Sequence, residues 1–160
     1  MEIKSLSNKF DVRKLGETDI ESIFELSSEN KLFYQYHPPF VTRESIRKDM
    51  EALPPGKNNK DKYYIGFFEK GTLVAIMDLI LNYPADDTAF IGLFMMHPNY
   101  QGSGTGSGII AECAGFLLES GFKKIRLGID KGNPQSSAFW KKNGFVTIEE
   151  NKYIIMERIL

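Results

Sequence analysis

The sequence predicts a single α+β domain over residues 1–160, with a mixed, mostly antiparallel sheet flanked by about four helices. A length of 160 residues is that of one ordinary domain. Residues 63–96 are rich in β-branched and aromatic residues and are interrupted by turns, which indicates three antiparallel strands. An amphipathic helix and a further strand follow, and a β-helix-β crossover makes its two strands parallel if they are neighbours in the sheet.

The N-terminal third predicts one strand and two helices. Thr18 and Glu21 have the spacing of a capping box at the start of the first helix. Thr42 can cap the second helix, and the proline-rich run 54–56 ends it. Residues 30–41 between the helices are rich in aromatic side chains and predict a loop. The expected elements are a strand at residues 10–15, a helix at 20–28 and a helix from 42 to 53.

From residue 63 onward the pattern is that of strands with two interspersed helices. The short link 69–72 makes the first two strands a hairpin. Gly121 ends the longer helix, and Pro134 suits the first position of the shorter one. The expected strands lie at residues 63–69, 73–81, 89–96, 125–129, 145–149 and 153–158, and the helices contain residues 109–118 and 134–143.

Composition excludes several classes of function. The 20 basic and 21 acidic residues give a net charge of -1, so the sequence lacks the basic field that nucleic-acid binding requires. No apolar run approaches the roughly 20 residues that span a bilayer, so we expect no membrane partner. The single cysteine, Cys113, excludes an internal disulfide and favours a cytoplasmic location. We expect its thiol to pack within a helix. The sequence is also compatible with a homodimer.

The strongest local signal is the glycine-rich turn at residues 101–108, where every second residue is glycine. Glycine permits positive φ and close approach of a ligand to the backbone, and the N–H groups that open the next helix favour an anion such as pyrophosphate. The lysine and hydroxyl of a P-loop are missing, since Ile109 and Ile110 stand there. The run 106–111 fits a dinucleotide-binding pattern, but the hairpin strands before it do not belong to that fold.

The turn resembles the acetyl-coenzyme A motif of the GNAT N-acetyltransferase superfamily, Gln/Arg-x-x-Gly-x-Gly/Ala, present here as Gln101, Gly104 and Gly106. A second hallmark is similar too: Asn133, an aromatic pair on a short helix, and then the Asn-Gly-Phe run 143–145. The order of elements also agrees, so the resemblance covers nearly the whole chain. It implies a GNAT-like fold, acetyl-coenzyme A as cosubstrate, no metal, and a small-molecule or peptide amine as acceptor.

The resemblance also implies residue roles. In this family the fourth and fifth strands splay apart, the pantetheine arm of coenzyme A pairs with the fourth strand, and the turn holds the pyrophosphate. Phe94 and Met96 can at the same time pack in the core through their side chains. The implied coenzyme-binding residues are Phe94, Met95, Met96, Gln101, Gly102, Ser103, Gly104, Thr105, Gly106, Ser107 and Asn133.

The catalytic residues are less well defined. Trp140 stands where many family members have tyrosine, and an indole N–H does not titrate, so Trp140 either lines the acyl site or belongs to the core. Asp78 is the one acid within an apolar strand, which favours a general base with a raised pKa or, equally, a structural hydrogen bond. Tyr100 and Tyr153 are further candidates for assisting the leaving thiolate. His97 is expected on the surface.

The acceptor pocket is expected near the early helices and the strand tips. The aromatic side chains there either clamp a substrate or form a lid on the core. The candidates are Tyr34, Tyr36, His37, Phe40 and Tyr83. Two functions therefore follow from the sequence: an N-acetyltransferase that acts by direct attack of the amine, and a module that binds acyl-coenzyme A without catalysis.

Overall fold

The chain folds as seven strands and five α-helices, and the computed structural model describes residues 1–160 without a gap. The strands are β1 (Asp11–Lys14), β2 (Lys62–Glu69), β3 (Thr72–Leu81), β4 (Thr88–Met96), β5 (Lys124–Ile129), β6 (Val146–Glu150) and β7 (Ile154–Ile159). The helices are α1 (Ile20–Ser28), α2 (Lys31–Tyr36), α3 (Arg43–Glu51), α4 (Thr105–Glu119) and α5 (Pro134–Lys142). None of the helices combines the length and the apolar character needed to cross a membrane.

All seven strands form one sheet in the order β1-β2-β3-β4-β5-β7-β6. Every neighbouring pair is antiparallel except β4 and β5, which are parallel. The parallel pair arises because α4 carries the chain from the end of β4 back to the start of β5. The predicted mixed sheet of a single α+β fold is therefore confirmed.

The parallel pair ends early. Residues 88–91 of β4 pair with residues 124–127 of β5, but β4 continues to Met96 while paired only with β3. A β-bulge marks the point of separation: Asp78 lies opposite Leu93 and Leu79 lies opposite Ile91, so Gly92 is the extra residue. A bulge bends its strand and increases the local twist, so it directs the end of β4 away from β5. We call the resulting gap the split.

Helices cover both faces of the sheet, and each face has its own apolar cluster. The larger cluster packs α4 and Trp140 of α5 against the sheet and includes Cys113, whose thiol is fully buried, as the sequence predicts. Burial raises the pKa of that thiol to about 12, so it is unsuited to nucleophilic chemistry. The smaller cluster packs α1 and α3 on the opposite face through residues such as Ile23 and Ile46.

Two expectations about the N-terminal third are wrong. Residues 31–36 form helix α2 where a loop was predicted, because Phe33 and Tyr34 pack on the smaller cluster and this contact stabilises a helix with weak local signals. Thr18 does not cap α1. Asp19 precedes that helix instead, and its carboxylate accepts the Gly16 N–H at 2.8 Å.

Candidate functional site

Two cavities lie along the split. One, of about 380 Å³, is lined by residues of α2, α3 and the end of β5, and we call it the aromatic cavity. The other, of about 350 Å³, is lined by the end of β4, the glycine-rich turn and α5, and we call it the turn cavity. Their linings share Phe33, Phe94, Ser136 and Trp140. The two cavities therefore adjoin, and a ligand in one can meet a ligand in the other at these side chains.

The end of β4 offers unpaired backbone groups to the split. The His97 N–H donates to the Val74 carbonyl of β3 at 2.8 Å, and Met95 lies opposite Ile76. Because backbone groups alternate in direction along an antiparallel pair, those of Phe94 and Met96 point away from β3. No strand pairs with them there, since β4 and β5 pair only as far as residue 91 of β4.

The Met96 carbonyl is already satisfied within the protein. The side-chain amides of Asn30 and Gln101 each donate to it at 3.0 Å, and the Gln101 amide also donates to the Asn30 oxygen at 2.9 Å. These bonds tie the end of β4 to α1 and to the glycine-rich turn. The groups left for a ligand are the N–H groups of Phe94 and Met96 and the Phe94 carbonyl.

The glycine-rich turn has the geometry of an anion site. Gly102 and Gly104 have φ values of +78° and +83°, in the left-handed region that favours glycine. No neighbouring heavy atom lies within 4 Å of the position that a Cβ on either residue would take. Within α4 the Gly108 N–H bonds back to the Gly104 carbonyl at 3.0 Å, so the N–H groups before it have no partner in the helix. Unpaired N–H groups and the helix dipole together attract phosphate oxygens.

Gly106 holds the start of α4 against the rest of the site. A Cβ there would lie 2.8 Å from the Met96 sulfur and 3.1 Å from a ring carbon of Phe139. Any other residue would require the Met96 and Phe139 side chains to shift, so glycine favours this close packing of α4 on β4 and α5. The Asn143 amide also donates to the Ser107 hydroxyl at 3.2 Å and joins the end of α5 to the same helical turn.

The structure brings most of the predicted coenzyme-binding residues together. Ser103 and Thr105 do not line the turn cavity, and their hydroxyls lie 3.0 Å apart, hydrogen-bonded to each other. Asn133 is buried and caps α5, because its side-chain oxygen accepts the N–H groups of Gln135 and Ser136, so its NH₂ group is left for a ligand. The predicted residues that line the turn cavity are Phe94, Met95, Met96, Gln101, Gly102, Gly104, Gly106, Ser107 and Asn133.

Trp140 belongs to the core and also lines the site, which are the two alternatives that the sequence left open. Its side chain belongs to the larger apolar cluster and packs against Phe139 and Phe145, with ring centroids 5.0 Å apart in each pair. It also lines both cavities. Tyr153 lines the aromatic cavity, whereas Tyr100 lines neither cavity and donates its hydroxyl to Glu69 at 3.2 Å.

Asp78 lines the aromatic cavity in a buried ion pair. The Lys62 ammonium lies 2.9 Å from one carboxylate oxygen and also donates to the Ala52 carbonyl at 2.8 Å. The second carboxylate oxygen is buried without a partner. Burial raises the pKa of Asp78, while Lys62 opposes this shift. The bulge residue Gly92 provides the room, because a Cβ there would lie 2.9 Å from the Asp78 oxygen that Lys62 binds.

Tyr34 and His37 line the aromatic cavity, as do the carboxyl groups of Asp49 and Asp130. Burial raises the pKa of Tyr34 to about 12, so its phenol stays protonated at neutral pH. Burial also raises the pKa of Asp49. Carboxyl and phenol groups therefore make up much of the polar lining of this cavity.

The other three predicted acceptor residues do not line the cavity. Phe40 is half exposed and packs on Tyr34, with ring centroids 5.3 Å apart. Tyr83 packs on Phe90, which does line the cavity, at a centroid distance of 5.4 Å. Tyr36 lies beside Gly132. Phe40 and Tyr83 thus each pack on a residue that lines the cavity.

One contact was not apparent from the sequence. His37 Nδ1 lies 3.0 and 3.1 Å from the two carboxylate oxygens of Asp130, which follows β5. The two residues are 93 positions apart in the chain, and nothing in the local pattern of either one indicates the other. Asn30, Phe33 and Ser136 are further lining residues that carry no sequence signal.

A protein-family model matches most of the chain. The model of the acetyltransferase (GNAT) family matches residues 20–145. No curated protein sequence is significantly similar to the chain.

Solved structures agree on the fold. The PaiA N-acetyltransferase of Thermoplasma acidophilum, in complex with coenzyme A, is similar over 94% of this chain and 99% of its own, with TM-score 0.70 and 22% identity. An acetyltransferase of Thermus thermophilus gives TM-score 0.82 at 19% identity over 95% and 97% of the two chains. The ribosomal-protein-S18-alanine N-acetyltransferase of Escherichia coli gives 0.68 at 14% over 94% and 90%.

The Lys62–Asp78 pair yields a prediction about stability. Asp78→Asn leaves the buried Lys62 ammonium without its counter-ion, and removal of one partner of a buried pair costs about 3 kcal/mol in the free energy of unfolding. Urea unfolding at neutral pH measures this. The double variant Lys62→Met, Asp78→Leu removes both charges and should lose less stability than Asp78→Asn. Wild-type stability of Asp78→Asn would show that the pair contributes nothing to the fold.

Proposed function

The chain belongs to the GNAT acetyltransferase family, and we propose that it transfers an acetyl group from acetyl-coenzyme A to a primary amine of a small molecule or peptide. The observation that carries this proposal is the split. The split brings together the unpaired backbone groups of β4, the N–H groups that open α4 and the two adjoining cavities. A cytoplasmic location and a homodimer stay predictions.

The turn cavity fits coenzyme A by the chemistry of its lining. The cosubstrate carries a pyrophosphate, two amides and a thioester in a linear arrangement. The N–H groups at the start of α4 suit the pyrophosphate, and the open space at Gly102 and Gly104 lets it reach the backbone. The free groups of Phe94 and Met96 suit the pantetheine amides, which would pair with β4 as an added strand does. The Asn133 NH₂ group is a further donor in this cavity.

The acyl group belongs where the two cavities adjoin, at Phe94, Ser136 and Trp140. A neutral amine in the aromatic cavity attacks the thioester carbon, a C–N bond forms, and the C–S bond breaks to release the thiolate. Positioning of the two reactants supplies much of the rate enhancement. The free N–H of Phe94 or Met96 would stabilise the oxyanion that develops on the carbonyl oxygen.

The thiolate has no tyrosine at residue 140 to protonate it. The Trp140 indole can border the sulfur but cannot give up a proton at neutral pH. The hydroxyl groups that we propose for this role are those of Ser136, which lines both cavities, and Tyr153, which lines the aromatic cavity. The missing acid is also the observation that favours the second candidate function, a module that binds acyl-coenzyme A without turnover.

The attacking amine must also lose a proton. Asp78 is the base predicted from the sequence, and it lines the cavity that the amine would enter. Its carboxylate is already bound to the Lys62 ammonium, which makes it a poorer proton acceptor. The catalytic role of Asp78 stays a prediction, and the rate of folded Asp78→Asn at a temperature below its unfolding tests it.

Turnover separates the two candidate functions. The protein with acetyl-coenzyme A and a panel of primary amines should release free thiol, measured with a thiol-reactive dye. Acetyl-coenzyme A should also raise the melting temperature by mass action, whereas NAD should not. Binding without thiol release over the whole panel would favour the non-catalytic module. Stabilisation by NAD and not by acetyl-coenzyme A would contradict both.

The anion site can be tested by opposite effects on stability and binding. Thr105 is the first residue of α4, so Thr105→Asp adds a negative charge that the helix dipole favours by about 0.3–1 kcal/mol. The same charge should repel the pyrophosphate and weaken acetyl-coenzyme A binding at least about tenfold by calorimetry. Thr105→Asn is the matched neutral control and should bind nearly as the wild type. Equal affinities of the Asp and Asn variants would place the pyrophosphate elsewhere.

A further inference from the structure

We infer that His37, held by Asp130, is the general base that takes the proton from the acceptor amine. The inference rests on the proposed acetyl transfer and adds to it a residue and a partner. It also gives the aromatic cavity a proton acceptor that is free of the Lys62–Asp78 pair.

The contact with Asp130 fixes the imidazole. His37 follows the last turn of α2, and its Nδ1 lies within 3.1 Å of both Asp130 carboxylate oxygens. A carboxylate accepts only, so Nδ1 carries the hydrogen and Nε2 of the neutral ring carries the lone pair. The Phe33 ring packs on the imidazole at a centroid distance of 5.2 Å and limits its rotation. A positioned imidazole with an oriented lone pair is the arrangement that general-base catalysis uses.

The position in the cavity is suitable. His37 and Asp130 line the aromatic cavity together with Phe94 and Trp140, which also line the turn cavity. Phe33, the residue packed on the imidazole, lines both cavities as well. An amine that binds in the aromatic cavity and faces the acyl group therefore lies in the cavity that His37 also lines.

The titratable groups that line the cavity beside the ring are carboxyl groups and phenols. The titratable groups that line the same cavity are Asp49 of α3, Asp78 of β3, Asp130 after β5, and the phenols of Tyr34, Tyr64 and Tyr153. The Lys62 ammonium is bound to Asp78. Of the three carboxylates, Asp130 is the one in contact with the imidazole, at 3.0 Å.

The proton balance is complete. As the C–N bond forms, Nε2 takes one proton from the amine, and the C–S bond breaks to leave a thiolate. The Nδ1 hydrogen stays bonded to Asp130, which is not itself protonated. The imidazolium then loses the Nε2 proton to solvent, since 47% of the His37 side chain is exposed. No oxidant or metal takes part.

The first test substitutes each member of the pair. His37→Gln keeps a polar side chain of similar length but cannot take a proton, so kcat/KM at pH 7 should fall by roughly 10²–10⁴-fold. The acidic limb of its pH–rate profile should disappear, and calorimetric affinity for acetyl-coenzyme A should be unchanged. Asp130→Asn removes the carboxylate that holds the Nδ1 hydrogen, so kcat/KM should fall there as well, with the affinity for acetyl-coenzyme A again unchanged. His97→Gln is the matched control, because His97 lines neither cavity, and it should retain the wild-type rate and profile.

A second measurement needs no turnover. In ¹⁵N NMR of the neutral imidazole, His37 of the wild type should carry its hydrogen on Nδ1, and Asp130→Ala should lower the share of that tautomer, while the tautomer of His97 should not change. Folded His37→Gln with the wild-type rate and an unchanged acidic limb would overturn the inference, as would an unchanged His37 tautomer in Asp130→Ala. Absence of thiol release from the wild type with every amine would instead overturn the proposed acetyl transfer.

Discussion

The site depends on one constraint: β4 has a complete partner on one side and an incomplete partner on the other. It pairs with β3 along nearly its whole length and with β5 over residues 88–91 only. Continued pairing would satisfy the backbone of Phe94 and Met96 and would leave no split. The bulge at Gly92 stands where the parallel ladder ends, and the same glycine makes room for the Asp78 carboxylate. Gly92 therefore lies where the pairing of β4 with β5 ends and also leaves space for the Asp78 carboxylate in the aromatic cavity.

Neighbouring elements line the two sides of the split and determine which polar groups each side presents. Asn30 and Gln101 satisfy the Met96 carbonyl, so this one group at the end of β4 does not need a strand beside it. The absence of a side chain at Gly106 lets the start of α4 pack against Met96, and Gly104, Gly106 and Ser107 at this end of the helix line the turn cavity. On the other side, α2 and the end of β5 are joined by His37 and Asp130. The turn cavity is therefore suited to an anion, and the aromatic cavity to an amine.

The sequence predicted the parts of this arrangement whose signals are local. Strand periodicity, the glycine-rich turn and Pro134 each act within a few residues, and the sheet with its single parallel pair is confirmed. Helix α2 was missed because a six-residue helix is too short to be stable alone, and it forms where Phe33 and Tyr34 pack on the smaller cluster. The bond of Asn30 to the Met96 carbonyl joins residues 66 positions apart, and that of His37 to Asp130 joins residues 93 apart. Such pairs follow from the completed topology, which no local pattern contains.

Amide hydrogen exchange along β4 tests the split most directly. In the free protein the Met95 amide, which pairs with β3, should be protected, whereas the Phe94 and Met96 amides should exchange rapidly. Bound acetyl-coenzyme A should slow exchange at Phe94 and Met96 and leave Met95 nearly unchanged. Protection of all three amides in the free protein would mean that β5 or another segment pairs with the end of β4. Unchanged exchange at Phe94 and Met96 in the complex would mean that the coenzyme binds without using this strand.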